Sequence, residues 1–405
     1  MVLKRNTRQQ ILNEAFLLCK DSKNSQFSLS ELANRVGISK AAIFRHFKNK
    51  ENLIEEMNCL FSGKFSRILN KKDYFFSKET LTSCTFEEFS EIIDDIITFF
   101  FNNPGFFEFF INSIAIDINS ENSILKILQK NGVVFSEPFI KNRSVGRFFK
   151  IYFCIEGIEY FISRREFIAL TNDEQIEDEE SFKKNVINFL WNGLGNNESQ
   201  ISEERKKDLV ELCIIEIQQN ENETRFFKAF SEVFTVSGYD GITVGNISKK
   251  LNIAKSSLYS FFKNKDEFIK KMISYEFNFF LDILFSKASS ARDINELAYI
   301  LLRVENNYFE VRRFVFMIHA WFQKQNFEID KTCSFRTEKI LNKIDELEKK
   351  VSTNGINMSF KTLIGWISSE IGSLKLFFDE LEKDNTLNHV DCVNEIFALV
   401  ECGIK

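Results

Sequence analysis

Apolar residues recur at three- and four-residue spacing near the start of this chain. Ile11, Leu12, Ala15, Leu18 and Cys19 follow that spacing and predict a first amphipathic helix. Ser28-Leu29-Ser30-Glu31 has the form of a capping box, with the Ser28 hydroxyl accepting from the third amide and Glu31 reaching back. It predicts a second helix through Leu32, Ala33 and Val36. Gly37 ends that helix, since glycine readily takes the left-handed conformation of a helix stop. Ser39 then caps a third helix whose inward face is Ala42, Ile43 and Phe47, and Asn49 caps a fourth. Two short helices joined by a tight turn, the second exposing Lys40, Ala41, Phe44 and Arg45, suit the major groove of DNA. The same pattern also fits a generic helical corner with solvated lysines.

The pattern occurs twice. Residues 27–57 (FSLSELANRVGISKAAIFRHFKNKENLIEEM) align without a gap to 242–272 (ITVGNISKKLNIAKSSLYSFFKNKDEFIKKM), at an offset of 215. Ile38/Ile253, Lys40/Lys255, Phe47/Phe262 and the run Lys48-Asn49-Lys50/Lys263-Asn264-Lys265 are identical. Asn252 replaces Gly37, the next most tolerant type for a left-handed stop. Upstream, Ile11, Leu12, Ala15 and Leu18 pair with Phe226, Phe227, Phe230 and Val233. A chain of 405 residues thus divides into two copies of a unit of about 200 residues, in line with domain sizes.

Composition supports an all-helical chain: 2 Pro and 15 Gly give little turn punctuation. The total charge of −5 conceals an uneven distribution. Residues 1–57 carry a net +4 and residues 225–272 a net +5, which leaves −14 on the remainder. Binding to phosphate depends on such local patches. The 47 Phe are spread evenly, and their abundance, with that of Ile, Lys and Asn, fits AT-rich coding DNA. Eight scattered Cys with no CxxC pair read as small core hydrophobes in a reducing compartment. The three His are dispersed, and neither a metal nor a cofactor is expected. No secretory signal or membrane-spanning stretch is visible, so a cytoplasmic location without membrane association is expected. The absence of a Gly-rich phosphate loop, nucleophile elbow or metal-ligand spacing argues against an enzyme.

These residues together resemble the tetracycline-repressor (TetR) family of bacterial transcription regulators. The second copy carries Arg225–Phe234 as first helix and Ser237-Gly238-Tyr239-Asp240-Gly241-Ile242-Thr243-Val244 as the following turn. It continues with Asn252-Ile253, Ser257-Leu258-Tyr259 and Phe262-Lys263-Asn264-Lys265. The first copy carries Gly37-Ile38-Ser39-Lys40, Ile43-Phe44-Arg45-His46-Phe47 and Lys48-Asn49-Lys50-Glu51. The resemblance implies an all-α fold of two TetR-like units in tandem. Each would be a helix–turn–helix DNA-binding domain (1–57 and 224–272) followed by a helical regulatory and dimerisation domain (58–195 and 273–405), with 196–223 as linker. It places Ser28 and Thr243 where a hydroxyl meets a backbone phosphate, Lys40 and Lys255 at the opening of the recognition helices, and His46 and Tyr259 against phosphate. Lys50 and Lys265 start the fourth helices. The exposed recognition residues differ: Lys40-Ala41-Phe44-Arg45 against Lys255-Ser256-Tyr259-Ser260. Other positions depart from the family pattern. Lys23-Asn24 stands where Gly-Tyr is expected, Phe44 replaces Tyr, Ala254 occupies a cap position and Phe261 replaces His.

Family members work as homodimers matching a palindromic operator. Here, either one chain folds as its own pseudo-dimer, packing 147–194 against 360–404, or two chains associate. Arg147–Phe167 and Phe360–Lys383 read as penultimate helices, Phe182–Leu194 and Val390–Ile404 as last ones. In the linker, Leu209–Ile217 reads as an extra helix bridging the halves. The resemblance further implies a small-molecule effector. Arg313 and His319, on the Phe-rich helix Phe309–Phe322, are its candidate anchors, although a solvent-facing edge or a satisfied core His explains them equally. The resulting expectation is a sequence-specific repressor of a double-stranded operator, with two unequal readers. The alternative is a TetR-fold effector- or protein-binding module that has lost operator binding in one or both copies.

Overall fold

Every regular element among the described residues of the computed structural model is a helix. The structure describes the chain apart from residues 1–6, 23–26, 71–83, 104, 111–129, 132–144, 172–174, 196–200, 217–220, 260–261, 325–337, 352–355, 369, 373 and 375–390.

The first half opens with α1 (Thr7–Ser22), α2 (Leu29–Val36), α3 (Lys40–Ile43) and α4 (Lys50–Leu69). Ile11, Leu12, Ala15, Leu18, Leu32, Ile43, Phe47 and Met57 form its core, as their spacing predicts. α4 runs on from this reader into the body, made of α5 (Phe86–Asn102), α6 (Val145–Thr171) and α7 (Glu179–Asn192). Phe16 of α1 packs on Phe106 and Phe109 of a helical turn at 106–110, with ring centroids 4.2 and 5.0 Å apart. Reader and body therefore share one apolar core.

The linker helix α8 spans Glu203–Leu212. The expected helix at Leu209–Ile217 is thus displaced toward the N-terminus. Ser202 caps its start, accepting from Arg205 N at 3.2 Å. The helix stops at Cys213, and Ile214 is 56% exposed, which apolar content alone does not foretell.

The second half repeats the reader as α9 (Glu221–Gly241), α10 (Val244–Leu251), α11 (Lys255–Tyr259) and α12 (Lys265–Ala288). The segment Ser237–Gly241, read as a turn, is helical. Asn246 Nδ2 donates to Gly241 O at 2.8 Å and ties the helix end to α10. The second body follows with α13 (Ile294–Lys324), α14 (Glu338–Lys350), α15 (Phe360–Ile367) and α16 (Cys392–Cys402). α13 loses helical geometry at Arg312 (φ −140°, ψ 41°), so the helix expected at 309–322 begins within one straight segment and continues beyond a kink. The penultimate helix expected over 360–383 breaks early: α15 ends at Ser368, with helical residues again at 370–372 and 374.

The halves meet through their last two helical segments. Leu194 N donates to Val400 O at 2.8 Å, and Ile404 N donates to Leu190 O at 3.1 Å. These two bonds join the same two positions, 210 residues apart, in exchanged roles. Such reciprocity is the signature of a two-fold relation. Trp366 of α15, fully buried, packs among Phe153, Phe161 and Phe189 of the other half at 5.2, 5.7 and 5.1 Å. Arg164 Nε to Thr362 Oγ1 (3.3 Å) and Lys150 Nζ to Ile404 O (2.8 Å) add polar ties. The expected packing of 147–194 against 360–404 within one chain is present. No helix among the described residues is long and apolar enough to cross a membrane.

Candidate nucleic-acid interface

Local hydrogen bonding fixes the two readers. Ser28 Oγ accepts from Glu31 N at 3.0 Å and Ser39 Oγ accepts from Ala42 N at 3.2 Å. In the second reader, Thr243 Oγ1 accepts from Asn246 N at 3.1 Å. Each hydroxyl uses its oxygen on the helix and keeps its own proton for a further acceptor. These hydroxyls also sit at the positive end of their helices, where an anion is stabilised. The turns between the helices rest on Gly37 (φ +75°) and Asn252 (φ +55°), as their residue types predict. The fourth helices start on Asn49, which accepts from Asn52 N at 2.8 Å, and on Asn264, which accepts from Glu267 N at 2.8 Å.

The recognition helix of the first reader is a single turn, Lys40–Ile43, followed by turn residues to His46. Ile43 and Phe47 point into the core, while Lys40, Ala41, Arg45 and His46 are exposed and Phe44 is 46% exposed. In the second reader Leu258 is buried, and Lys255, Ser256, Ser257 and Tyr259 (55%) are exposed. Lys255 lies across Gly245, which brings its amine close to the start of α10; a methyl group at Gly245 would stand 3.3 Å from it. Ala254 supplies no side-chain acceptor for α11, whose start rests on backbone bonds from Ser257 N (3.0 Å) and Leu258 N (3.3 Å) to Ala254 O.

Charge pairing separates basic groups that brace the readers from those that face outward. Arg8 pairs with Glu56, Arg35 with Glu14 and Asp21, and Lys250 with Glu232, all holding helices together. Lys40, Arg45, Lys48, Lys249, Lys255 and Lys263 are exposed and make no ion pair among the described residues. Lys50 is half-buried over the Phe27 ring at 5.2 Å, so its amine sits at the rim of this surface. Ser260 lies outside the described residues, as do the side chains of Lys265, Arg313 and His319.

The model of the bacterial regulatory proteins of the tetR family matches the chain twice, at residues 25–57 and 227–272. The chain carries two tetR-type helix–turn–helix segments in tandem. The matched segments are the two readers just described. Among similar proteins, the IcaR negative transcriptional regulator of the biofilm operon icaADBC of Staphylococcus epidermidis is 38% identical over 71 residues, 18% of this chain and 38% of that protein. The HTH-type regulator YvkB of Bacillus subtilis is 32% identical over 113 residues, 27% of this chain and 59% of its own length. The nucleoid occlusion factor SlmA of Alteromonas mediterranea is 32% identical over 108 residues, 26% of this chain and 50% of its length. The chain spans about half the length of the curated relatives it matches.

Sequence reasoning missed the group that joins the second tetR-type reader to its body. At the α13 kink, Arg312 reaches Glu276 of α12 at 3.4 Å and lies 4.8 Å over the ring of Phe227 on α9. Tyr308 Oη donates to the same carboxylate at 2.7 Å. Burial raises the proton affinity of Glu276, and Tyr308 and Arg312 oppose that rise. A helical spacing of four between Tyr308 and Arg312 was visible, but only the fold brings Glu276 and Phe227 to them.

Proposed function

We propose that this chain is a sequence-specific DNA-binding regulator, a repressor released by a small molecule, in which one chain presents two unequal readers to one operator. The observation that carries this reading is the pairing of two helix–turn–helix units, each with exposed unpaired cations, on bodies related by an internal two-fold. An operator with two half-sites needs that arrangement. Arg45 can bond a guanine edge in two places, whereas Tyr259 and Ser256 read more weakly, so the half-sites differ in sequence. Repression fits IcaR, a negative regulator by name. Arg312 and Glu276 give the body a physical hold on the second reader, through which an effector in the body would act.

Fragments of the source genome selected by the purified chain, then footprinted and weighed as complexes, test the reading. One 47.5 kDa chain covering two dissimilar half-sites is expected. Two chains on the minimal operator would overturn it. The uncapped α11 favours a second reading, a tetR-fold module that has lost operator binding. A gel shift across salt separates the two, because binding that falls steeply with salt belongs to a protein neutralising phosphates.

A further inference from the structure

The two copies join reader to body with different chemistry. In the first, Phe16 of α1 and Phe61 of α4 both close on the turn at 106–110. Phe16 lies 4.2 and 5.0 Å from the rings of Phe106 and Phe109, and Phe61 lies 5.7 and 6.2 Å from the same two rings. Phe16 and Phe61 are both fully buried. The turn also presses on the reader's backbone, since a methyl group at Gly105 would stand 1.9 Å from Phe16 O. At the offset of 215 that relates the copies, Phe16 becomes Ser231 and Phe61 becomes Glu276. The second copy thus lacks both rings of the joint, although Phe65, one turn farther along, persists as Phe280.

A polar clasp stands in their place. Ser231 Oγ donates to Lys228 O of its own helix at 3.0 Å. Glu276 accepts from Tyr308 Oη at 2.7 Å and pairs with Arg312 at 3.4 Å, and the Arg312 guanidinium covers the Phe227 ring of α9. α13 leaves helical geometry at Arg312 itself, so the residue that reaches the reader stands where the body helix bends. The apolar cores divide at the same place. Ile11, Leu32, Ile43 and Phe47 of the first reader belong to one core with Phe89 and Phe106 of its body. Among the described residues, Phe230, Ile247, Leu251, Leu258 and Phe268 of the second reader form a core of their own. Opening the first joint would bring packed aromatic surface into water. Opening the second gives up polar bonds that water replaces, and it rehydrates the Glu276 carboxylate.

We infer that the second reader is a separately opening unit with Arg312 as its positioning residue, while the first reader is fixed to its body. The opening itself needs no DNA; its consequence for binding rests on the regulator reading. With the clasp closed, the second reader holds one direction relative to the first, and a single chain meets both half-sites. With the clasp open, the first reader keeps its half-site and the second must search for its own. Control of the operator therefore passes through one reader of the two.

Amide hydrogen exchange of the full chain, corrected for intrinsic rates, tests this in the parent, R312A, R312K and Y308F. In the parent, α10 is expected to exchange about tenfold or more faster than α2, its counterpart of the same length. R312A should speed exchange in α9 and α10 by about a further tenfold and leave α2, α4 and the first body at parent rates. R312K keeps a cation beside Glu276 and should lie nearer the parent. Y308F loses only a hydroxyl and should act in the same segments, which keeps the test decisive if R312A folds poorly. Equal protection of α2 and α10 in the parent, or acceleration spread evenly over both copies in R312A and Y308F, would overturn the inference. A gel shift on the same preparations reads DNA binding separately. Selective exchange without any shift supports the separate opening and removes the regulator reading; a shift with uniform exchange does the reverse. Where both hold, footprinting of R312A should show the second half-site weakened about tenfold and the first unchanged; equal loss at both would remove Arg312 as the positioning residue.

Discussion

At the level of single residues, the two readers differ most clearly at their recognition-helix caps. Ser39 Oγ accepts from Ala42 N, and Ala254 at the equivalent place has no side-chain acceptor, only its backbone oxygen. An N-cap hydroxyl contributes about 0.5–2 kcal/mol. A254S is therefore expected to stabilise the second reader by about 1 kcal/mol and strengthen its half-site in footprinting, while S39A weakens the first. These caps were legible in sequence because each bond spans three residues. The buried acids were not. A helix pattern assigns Glu to solvent, and only the packing of two halves encloses Glu156 and Glu370. Burial lifts the Glu156 carboxyl from an ordinary 4.5 to about 7. A raised pKa means that the folded chain holds the proton more tightly than the unfolded one. The associated stability is complete below about 4.5 and is lost as pH rises through about 7. Thermal melts of the ligand-free protein should show this loss, and E156Q should flatten it over that window.

Among the elements, α8 starts earlier than expected and is fastened by a two-point ion pair. Arg205 presents Nε and one terminal nitrogen to the two oxygens of Glu296 on α13 at 2.8 and 2.9 Å. Glu296 also accepts from Arg292 N at 3.1 Å. Burial pushes its pKa up, but the hydrogen bonds of Arg205 and Arg292 N prevail and hold the carboxyl below its usual value. Glu296 is 4% exposed, so removing its partner would strand a charge. R205A is expected to cost about 2–4 kcal/mol, between the values for surface and buried pairs. Here the pH sign is opposite to that of Glu156: this contribution is present at neutral pH and fades on acidification, and urea titrations of R205A at falling pH should converge on the parent. The displaced start of α8 has the same origin. Leu209 and Cys213 showed apolar spacing, yet the polar turn Glu203-Glu204-Arg205 became helical because of Ser202 and a partner 91 residues away.

For the whole molecule, the internal two-fold closes on two glycines. Gly193 (φ +60°, ψ −142°) and Gly403 (φ +70°, ψ −160°) adopt a conformation essentially reserved for glycine, each beside the other half's backbone. A methyl group at Gly403 would lie 2.1 Å from Trp191 O, and one at Gly193 would lie 2.5 Å from Gly403 N. The endings Asn192-Gly193-Leu194 and Cys402-Gly403-Ile404 are similar in sequence, but only the fold shows that they touch. G403A should cost at least about 1–3 kcal/mol in backbone strain and break the exchanged bonds at Leu194 and Ile404. The spacing between readers depends on this seal, whereas each reader keeps its own caps and the second also keeps a separate core. G403A is therefore expected to preserve protection of a single half-site in footprinting and to lose the coupling between two half-sites on one DNA. G63A serves as the control, because α4 leaves open space at Gly63 and alanine there should add about 0.5–1 kcal/mol. Unaltered coupling in G403A, with its melting point lowered, would show that the two-fold supports the bodies without setting the distance between the readers.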